Sequence, residues 1–382
     1  MNIMYITHEE NIGGSTKALI ELIQNLKKNK KNNIYVVVLR KSGEAYDAFK
    51  KENINIIYLK HHNNVVFEKT TLAYIRSYIK IFDNFIKAIK LSYLVKKYNI
   101  EIIHTNCSII SIGAIVNSIT KVPHVFHIRE YFEIGNQRYT RTIKKEFNYI
   151  NKHSTKIILI SKYLYNEYEK YFSKEKMNLI YDGIDVSQYS NKNKKNNQKE
   201  INILVCGLIT ESKGQEDVIE ALNIINKKYN EIINLIFAGN WDEKYKNRLE
   251  KKIEQYGLKN RVKFLGFISD LKKVREESYI EINCSRSEGF GRATVEAMLA
   301  KNIVIAANNS ATKEIIKDGV NGFLYKTGDY IDLANKIEYI LNNRNKIDKI
   351  IDYAYNESII LYSSKTNSDK IFNLYKDVLS KK

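Results

Sequence analysis

Short runs of β-branched residues alternate with longer stretches of helical period along almost the whole chain. That alternation is the strongest constraint on the fold. The first half carries NIMYITH from Asn2, IYVVVLR from Ile34, NIIYLK from Asn55, IEIIHTN from Ile100, HVFHIRE from His124 and KIILIS from Lys156. Between them lie helical segments such as residues 17–28, where Leu19, Ile23 and Leu26 share one face. Strands separated by helices argue for parallel βαβ units. The runs are apolar on both faces, as strands covered by helices on both sides must be. A second series follows, with INILVCG from Ile201, INLIFAGN from Ile233, RVKFLGF from Arg261, YIEINCS from Tyr279 and NIVIAAN from Asn302.

The 382 residues suit two or three domains. Residues 191–200, NKNKKNNQKE, interrupt the pattern with a polar stretch that has no hydrophobic period. The expected fold is therefore α/β, with two doubly wound, Rossmann-like parallel-sheet domains. The expected boundaries are residues 1–185, 186–357 and 358–382, the last stretch being helices that return to the first domain. The single proline, Pro123, excludes a proline-rich linker. Ligands of open parallel sheets bind beyond the carboxyl ends of the strands, so chemistry is sought in the loops that follow strands. With two such domains, the cleft between them is the natural place for it.

The 44% hydrophobic content supports a sizeable core. The 62 Lys+Arg against 43 Asp+Glu give a net charge of +19, which points to anionic partners: nucleotides, anionic lipid or nucleic acid. Cys107, Cys206 and Cys284 are far apart in sequence and form no CxxC or Cys/His pattern, which fits a reducing compartment. The start, MNIMYITHEE, lacks the pattern of a signal peptide. The longest weakly polar run, residues 108–120, is shorter than the ~20 residues that cross a bilayer. A cytoplasmic chain is expected.

Four loops stand out. THEENIGGST follows the first strand, and Gly13 and Gly14 there let backbone approach a ligand at a helix N-terminus. HVFHIRE ends with His127 and Arg129 on one face and Glu130 on the other. GLITESKGQ, from Gly207, places Lys213 and Gly214 where a helix begins, so that Lys213 can meet a phosphate. SEGFGRATVEAM carries Glu288 and Glu296 in an E-x(7)-E spacing, with Gly289 and Gly291 around Phe290. Carboxylates accept hydrogen bonds from vicinal hydroxyls of a sugar or ribose, and glycine-framed N–H groups can meet a diphosphate.

These motifs, with YDGID, FLGF and EIIKDGVNGFLY in the same order, resemble the retaining glycosyltransferases of the GT-B fold, in the "glycosyl transferases group 1" family (family 4 type). The resemblance covers nearly the whole chain and is most specific in EGFGRATVEAM. It implies that Glu288 holds donor-sugar hydroxyls, that Glu296 binds the ribose and that the backbone of Phe290 and Gly291 lies near the sugar diphosphate. It further implies that Lys213 neutralises the diphosphate, that Gly13 and Gly14 approach it, and that His127 lies near the donor sugar. The segment Gly266–Ile268, including Phe267, resembles the one whose backbone reads the nucleobase. Two departures stand out. Leu208 occupies the position of a frequent Arg, so the missing cation is sought first in Arg292, then in Arg129 or Arg286. Ser310 and Ala311 replace a frequent Gly-Gly.

The expected activity is transfer of a sugar from a nucleotide diphosphate sugar, UDP-linked, to a saccharide or lipid-linked saccharide acceptor in polysaccharide or glycoconjugate biosynthesis. No cofactor and no metal are expected, since no DxD occurs and Lys213 with helix N–H groups can stabilise a leaving diphosphate. The catalytic set is His127, Glu288 and Lys213. The binding set is Gly13, Gly14, Gly207, Lys213, Gly266, Phe267, Glu288, Gly289, Phe290, Gly291, Arg292 and Glu296. Rival readings are a GT-B-type sugar-nucleotide epimerase, a disaccharide phosphorylase and a basic nucleic-acid-binding protein. No nucleic-acid module is recognisable, and no nucleic-acid partner is expected.

Residues 69–97 are basic, with Ile75, Ile79, Phe82, Ile86 and Ile89 at steps of 4, 3, 4 and 3 and with Arg76, Lys80, Lys87 and Lys90 interspersed. That spacing is read first as a core-packing face. Its alternative is attachment to anionic lipid on the inner face of the cell membrane, together with a patch of Arg138, Arg141, Lys144 and Lys145.

Overall fold

The structure is a computed structural model that describes residues 1–28, 32–66, 70–131, 138–139, 143–189, 200–229 and 232–381. Of the polar stretch at residues 191–200, residues 191–199 lie outside the described residues, and Glu200 begins the second series of strands.

In chain order the first elements are β1 (Asn2–Ile6), α1 (Gly14–Lys27), β2 (Asn33–Val38), α2 (Glu44–Lys51) and β3 (Asn55–Tyr58). Then come β4 (Val65–Val66), α3 (Thr71–Lys97), β5 (Ile102–Thr105), α4 (Ile112–Thr120), β6 (His124–Ile128) and β7 (Arg138–Tyr139). They are followed by α5 (Ile143–His153), β8 (Lys156–Leu159), α6 (Lys162–Tyr168) and β9 (Met177–Leu179). The second series is β10 (Glu200–Cys206), α7 (Gln215–Lys228), β11 (Ile232–Ala238), α8 (Glu243–Gln255), β12 (Val262–Phe264) and α9 (Lys272–Glu276). It continues with β13 (Ile280–Asn283), α10 (Arg292–Leu299), β14 (Ile303–Ala307), α11 (Thr312–Ile315), β15 (Phe323–Tyr325), α12 (Tyr330–Asn342) and α13 (Arg344–Tyr362). Helix α14 (Ser364–Ser380) closes the chain.

The chain divides into two compact units, one of Met1–Gly183 with Ser364–Lys382 and one of Ile184–Ser363. Helix α14 thus belongs to the first unit, and α13 to the second.

The first unit holds a seven-stranded parallel sheet in the order β3-β2-β1-β5-β6-β8-β9. The alternation of side chains sends Ile3 and Tyr5 to one face and Met4 and Ile6 to the other. The first face packs on Leu19 and Leu22 of α1 and on Ile371 and Tyr375 of α14. The second packs on Ala88, Leu91 and Val95 of α3 and on Ile112 and Val116 of α4. The second unit holds a six-stranded parallel sheet, β12-β11-β10-β13-β14-β15. In each sheet the chain starts on an inner strand, winds outward on one side and then crosses to the other. The order reverses beside β1 and beside β10, and open α/β sheets bind ligands at such points.

Helix α3 corrects one expectation. Its apolar stripe does not pack into the core. Ile75, Ile79, Phe82, Ile86 and Ile89 are 53%, 63%, 66%, 53% and 54% exposed. The covered face is instead Ser77, Asn84, Ala88, Leu91, Ser92 and Val95. Periodicity showed that one face is apolar, but not that the covered face would be the smaller, more polar one. Arg76, Lys80 and Lys90 are exposed on the same helix. Among the second patch, Lys144 and Lys145 are exposed, while Lys69, Arg141 and the Arg138 side chain lie outside what is described.

Four buried histidines belong to the first unit. Burial disfavours their charged form, pushing His61 and His124 down to about 4 and holding His104 and His127 well below the ordinary value. In the unfolded chain these groups regain a value near 6.5 and bind protons that the folded state refuses. Their contribution is complete above 6.5 and is lost as pH falls toward 4. At pH 5 each group held near 4 therefore costs about 2 kcal/mol of stability relative to pH 7. The urea midpoint of this unit should fall between pH 7 and pH 5, and a midpoint that stays constant or rises would contradict this assignment.

Candidate active site

Strands β10 and β13 are parallel neighbours, with Ile203 and Leu204 opposite Ile280 and Glu281. The loops that leave their carboxyl ends therefore lie side by side. The backbone N–H of Arg286 donates to the Ser212 carbonyl at 2.9 Å. Gly214 sits at φ +69, and a Cβ there would lie 2.4 Å from the Cys284 carbonyl oxygen, so only glycine allows this approach. Lys213 precedes it, at the end of a single 3-10 turn, Glu211–Lys213. This close approach brings Lys213 Nζ to 2.6 Å from Glu288 Oε1. Both side chains are partly open to solvent, at 30% and 20%. An ion pair in that setting is worth ~0–1 kcal/mol, so either partner can be exchanged at little cost.

Glu288 is held through its backbone. Its N–H donates to the Ser310 hydroxyl at 2.8 Å, and its carbonyl accepts from the Ala311 N–H at 3.3 Å. Ser310 adopts φ +37, a left-handed conformation that costs a side-chain-bearing residue about 1 kcal/mol. Its hydroxyl also donates to Asn309 Oδ1 at 2.8 Å. The substitution of Ser310 for a frequent glycine therefore brings a hydroxyl that positions the Glu288 loop.

Glu296 lies one turn into α10 and is buried. Its Oε2 accepts from Arg275 Nη1 at 2.9 Å, while Arg275 grips Glu281 of β13 with Nε and Nη2, both at 3.0 Å. Arg292 Nη2 stands 3.7 Å from Glu296 Oε1. Arg275 is itself buried and held firmly protonated by these carboxylates, against the opposing effect of burial. Removing one member of such a buried network leaves an uncompensated charge, at a cost of about 3–5 kcal/mol. Gly291 starts α10 at φ +98, with no side-chain cap. The Phe290 ring is buried edge-on against Tyr362, with centroids 5.6 Å apart, so this turn presents backbone rather than an aromatic face.

Gly207 ends β10 at the surface, with its N–H bonded to the Ala238 carbonyl at 2.9 Å. The Gly266 carbonyl accepts from the Gly239 N–H at 2.8 Å, and Phe267 beside it is exposed. Gly289 is half-buried in the same loop as Glu288.

In the first unit, Gly13 caps α1 and Gly14 begins it. The Glu9 carboxylate already occupies that helix N-terminus, accepting from the Thr16 N–H at 2.9 Å and from the Thr16 hydroxyl. A Cβ on Gly13 would lie 2.3 Å from Glu9 Oε1. This internal anion was not foreseen; the HEENIGG spacing, with an acid four residues before the first glycine, is the signal for it. His127, fully buried on β6, has its Nδ1 at 3.1 Å from His104 Nε2 and at 3.4 Å from the donor Arg129 Nη2. Among the described residues its Nε2 has no hydrogen-bond partner. Glu130 points elsewhere, taking the Ser108 N–H at 3.2 Å and hydroxyl at 2.6 Å.

The cations considered in place of an Arg at Leu208 are all engaged. Arg129 is buried on Asp182 and bonds Asn106 Oδ1 at 3.2 Å. Arg286 pairs with both oxygens of Asp217, at 2.6 and 2.7 Å. Arg292 faces Glu296. Among the described residues, His8, Cys107 and Glu130 place donor atoms within 4.8 Å of one another, a grouping that sequence spacing hides. Cys107 Sγ donates to Glu130 Oε1 at 3.2 Å, and burial pushes its thiol well up, so it is held as a thiol.

Comparison with known proteins adds to this geometry. Residues 186–357 match the family described as Glycosyl transferases group 1, and residues 12–188 match Glycosyltransferase Family 4. The uncharacterized glycosyltransferase MJ1178 of Methanocaldococcus jannaschii is 28% identical over 346 residues, 87% of this chain and 86% of that protein. The capsular polysaccharide biosynthesis glycosyltransferase CapH of Staphylococcus aureus is 24% identical over 83% of this chain and 85% of its own length. The crystal structure of Anabaena Alr3699/HepE in complex with UDP and glucose has a TM-score of 0.80 at 22% identity, covering 99% of this chain and 100% of that one. With its two parallel-sheet units and matches that run from residue 12 to residue 357, the chain is a glycosyltransferase of the GT-B fold, of the family 4 type.

Proposed function

We propose that the chain moves a sugar from a UDP-linked donor to a saccharide or lipid-linked saccharide acceptor, with retention of configuration and without a metal ion, in polysaccharide or glycoconjugate biosynthesis. The observation that carries this reading is the half-open Lys213–Glu288 pair at 2.6 Å, placed beside β10 where the sheet order reverses. The UDP and glucose bound to HepE, and the role named for CapH, support the donor class and the biosynthetic setting.

In this reading the donor's diphosphate takes Lys213 from Glu288. Glu288 is then free to accept hydrogen bonds from vicinal sugar hydroxyls. The N–H groups around Gly289 and Gly291, with Arg292, meet the diphosphate at the start of α10. Glu296, fixed by Arg275, accepts from the ribose. Gly207, Gly266 and Phe267 border the base. In the first unit, Gly13 and Gly14 approach the diphosphate only if Glu9 gives up the α1 N-terminus, and His127 contacts the transferred sugar. Charge on the leaving diphosphate is met by Lys213 and backbone dipoles, which is the basis for proposing metal independence. No carboxylate is assigned as nucleophile, so the acceptor hydroxyl attacks from the face that the diphosphate leaves: its oxygen bonds to the sugar carbon as the bond to the diphosphate breaks, and its proton passes to the departing phosphate oxygen.

The test is UDP release from a panel of UDP-sugars in EDTA. The wild type should turn over. Glu288→Gln and Lys213→Ala should each lose about 100-fold or more while remaining folded. Strict dependence on added Mn²⁺ would remove the metal-free mechanism, and wild-type rates in both variants would remove the site.

We also propose that α3 lies on anionic lipid, which would place the enzyme beside a lipid-linked acceptor. Its exposed apolar face is flanked by exposed Arg76, Lys80 and Lys90, and six basic residues on the helix face a single acid, Asp83. An interfacial helix has this composition, and each basic residue near an anionic surface adds about 1 kcal/mol. No helix among the described residues is long and apolar enough to cross a membrane. In co-sedimentation with phosphatidylglycerol vesicles, the protein should bind in a salt-sensitive way, and the double variant Ile79→Asp with Phe82→Asp should not. No binding to these vesicles, or equal binding by the variant, would contradict the proposal.

A further inference from the structure

Four buried side chains from four elements form one hydrogen-bonded line in the first unit. Tyr5 of β1 meets Tyr375 of α14, hydroxyl to hydroxyl, at 3.0 Å. The Tyr375 hydroxyl lies 2.6 Å from His104 Nδ1, on β5. His104 Nε2 lies 3.1 Å from His127 Nδ1, on β6. All four side chains are fully buried.

The direction of every bond in this line is fixed by Arg129. A guanidinium only donates. Arg129 Nη2 lies 3.4 Å from His127 Nδ1, so that nitrogen must carry a lone pair. Burial first, then the Arg129 charge, keeps His127 neutral. Its one ring proton is therefore on Nε2. His127 Nδ1 being an acceptor, His104 must donate from Nε2. His104 is also held neutral, so its Nδ1 accepts, and the Tyr375 hydroxyl donates to it. The Tyr375 oxygen then accepts from the Tyr5 hydroxyl.

We propose that Tyr375 and His104 are positioning residues that, with Arg129, lock His127 as a neutral donor whose Nε2–H is reserved for an oxygen of the substrate. The inference rests on the reading above that places His127 at the transferred sugar, and it deepens that reading. Nε2 is buried and lacks a protein partner among the described residues, so the N–H is left to an acceptor that the protein does not supply. A sugar hydroxyl or phosphate oxygen has the required chemistry. The same polarity bars His127 from acting as a general base, because the nitrogen that would take the acceptor's proton already holds one.

The test uses the full chain with ring-nitrogen-labelled histidine, whose nitrogen resonances separate protonated from bare ring positions. His104→Gln and His127→Gln assign the signals. Both residues should be neutral, with the proton on Nε2. A proton on Nδ1 of His127, or a charged ring near neutral pH, overturns the proposal without any need for a variant to fold. Tyr375→Phe removes the donor to His104 and the acceptor of the Tyr5 hydroxyl while leaving both histidines in place. It should move the His104 Nδ1 resonance toward that of an unbonded ring nitrogen, with the proton still on Nε2, and lower kcat for UDP release at least about tenfold, with KM little changed. An unmoved His104 Nδ1 resonance and unchanged kcat in Tyr375→Phe would also overturn it. The underlying site reading fails separately: His127→Gln would then turn over like the wild type, whatever tautomer the wild type shows.

Discussion

Strand β10 is hydrogen-bonded in parallel to β11 on one side and to β13 on the other, and the chemistry proposed for the second unit follows from that placement. Parallel neighbours send their following loops out of the same edge of the sheet. The loop after β10 brings Lys213, and the loop after β13 brings Glu288. Gly214 lets the two backbones approach where a side chain would collide with the Cys284 carbonyl. In the same unit, Arg275 ties Glu281 of β13 to Glu296 of α10 in a buried charge network, while the Lys213–Glu288 pair is partly open to solvent. A buried, fixed network and a partly open pair suit the donor proposed above, which must bind, react and leave.

Much of this was legible in the sequence because it rests on local pattern. Alternating apolar runs and helical stretches implied parallel sheets. The E-x(7)-E spacing located Glu288 and Glu296, and the strand-end position of Lys213 located its loop. What escaped was long-range or concerned which surface is covered. Tyr375 and His104 are 271 positions apart, and nothing near either residue announces the other. Arg275 reads as one more base in a Lys-rich stretch until the fold buries it between two carboxylates. On α3, period alone could not tell a face that meets the core from one that meets something else. The core there takes Ser77, Asn84 and Ala88, and the isoleucines face outward.

The net charge of +19 also takes a more definite form. Arg129 and Arg275 are spent inside the fold on Asp182 and on Glu281 with Glu296, and the partly open Arg286 is paired with Asp217. They organise loops rather than attract partners. Lys213, paired with Glu288, is also partly open, and the exposed bases of α3 flank an apolar face. In the proposed reading the excess is divided among structure, a diphosphate and a surface.

The central claim is that a diphosphate and Glu288 compete for Lys213. Calorimetric titration of UDP into the wild type, Lys213→Met and Glu288→Gln tests it most directly. The account predicts that Lys213→Met binds UDP about tenfold or more weakly, the loss of one charge-assisted contact, whereas Glu288→Gln, with the competing charge removed, binds it as tightly as the wild type or tighter. Equal affinity in wild type and Lys213→Met, or a loss in Glu288→Gln as large as that in Lys213→Met, would contradict it.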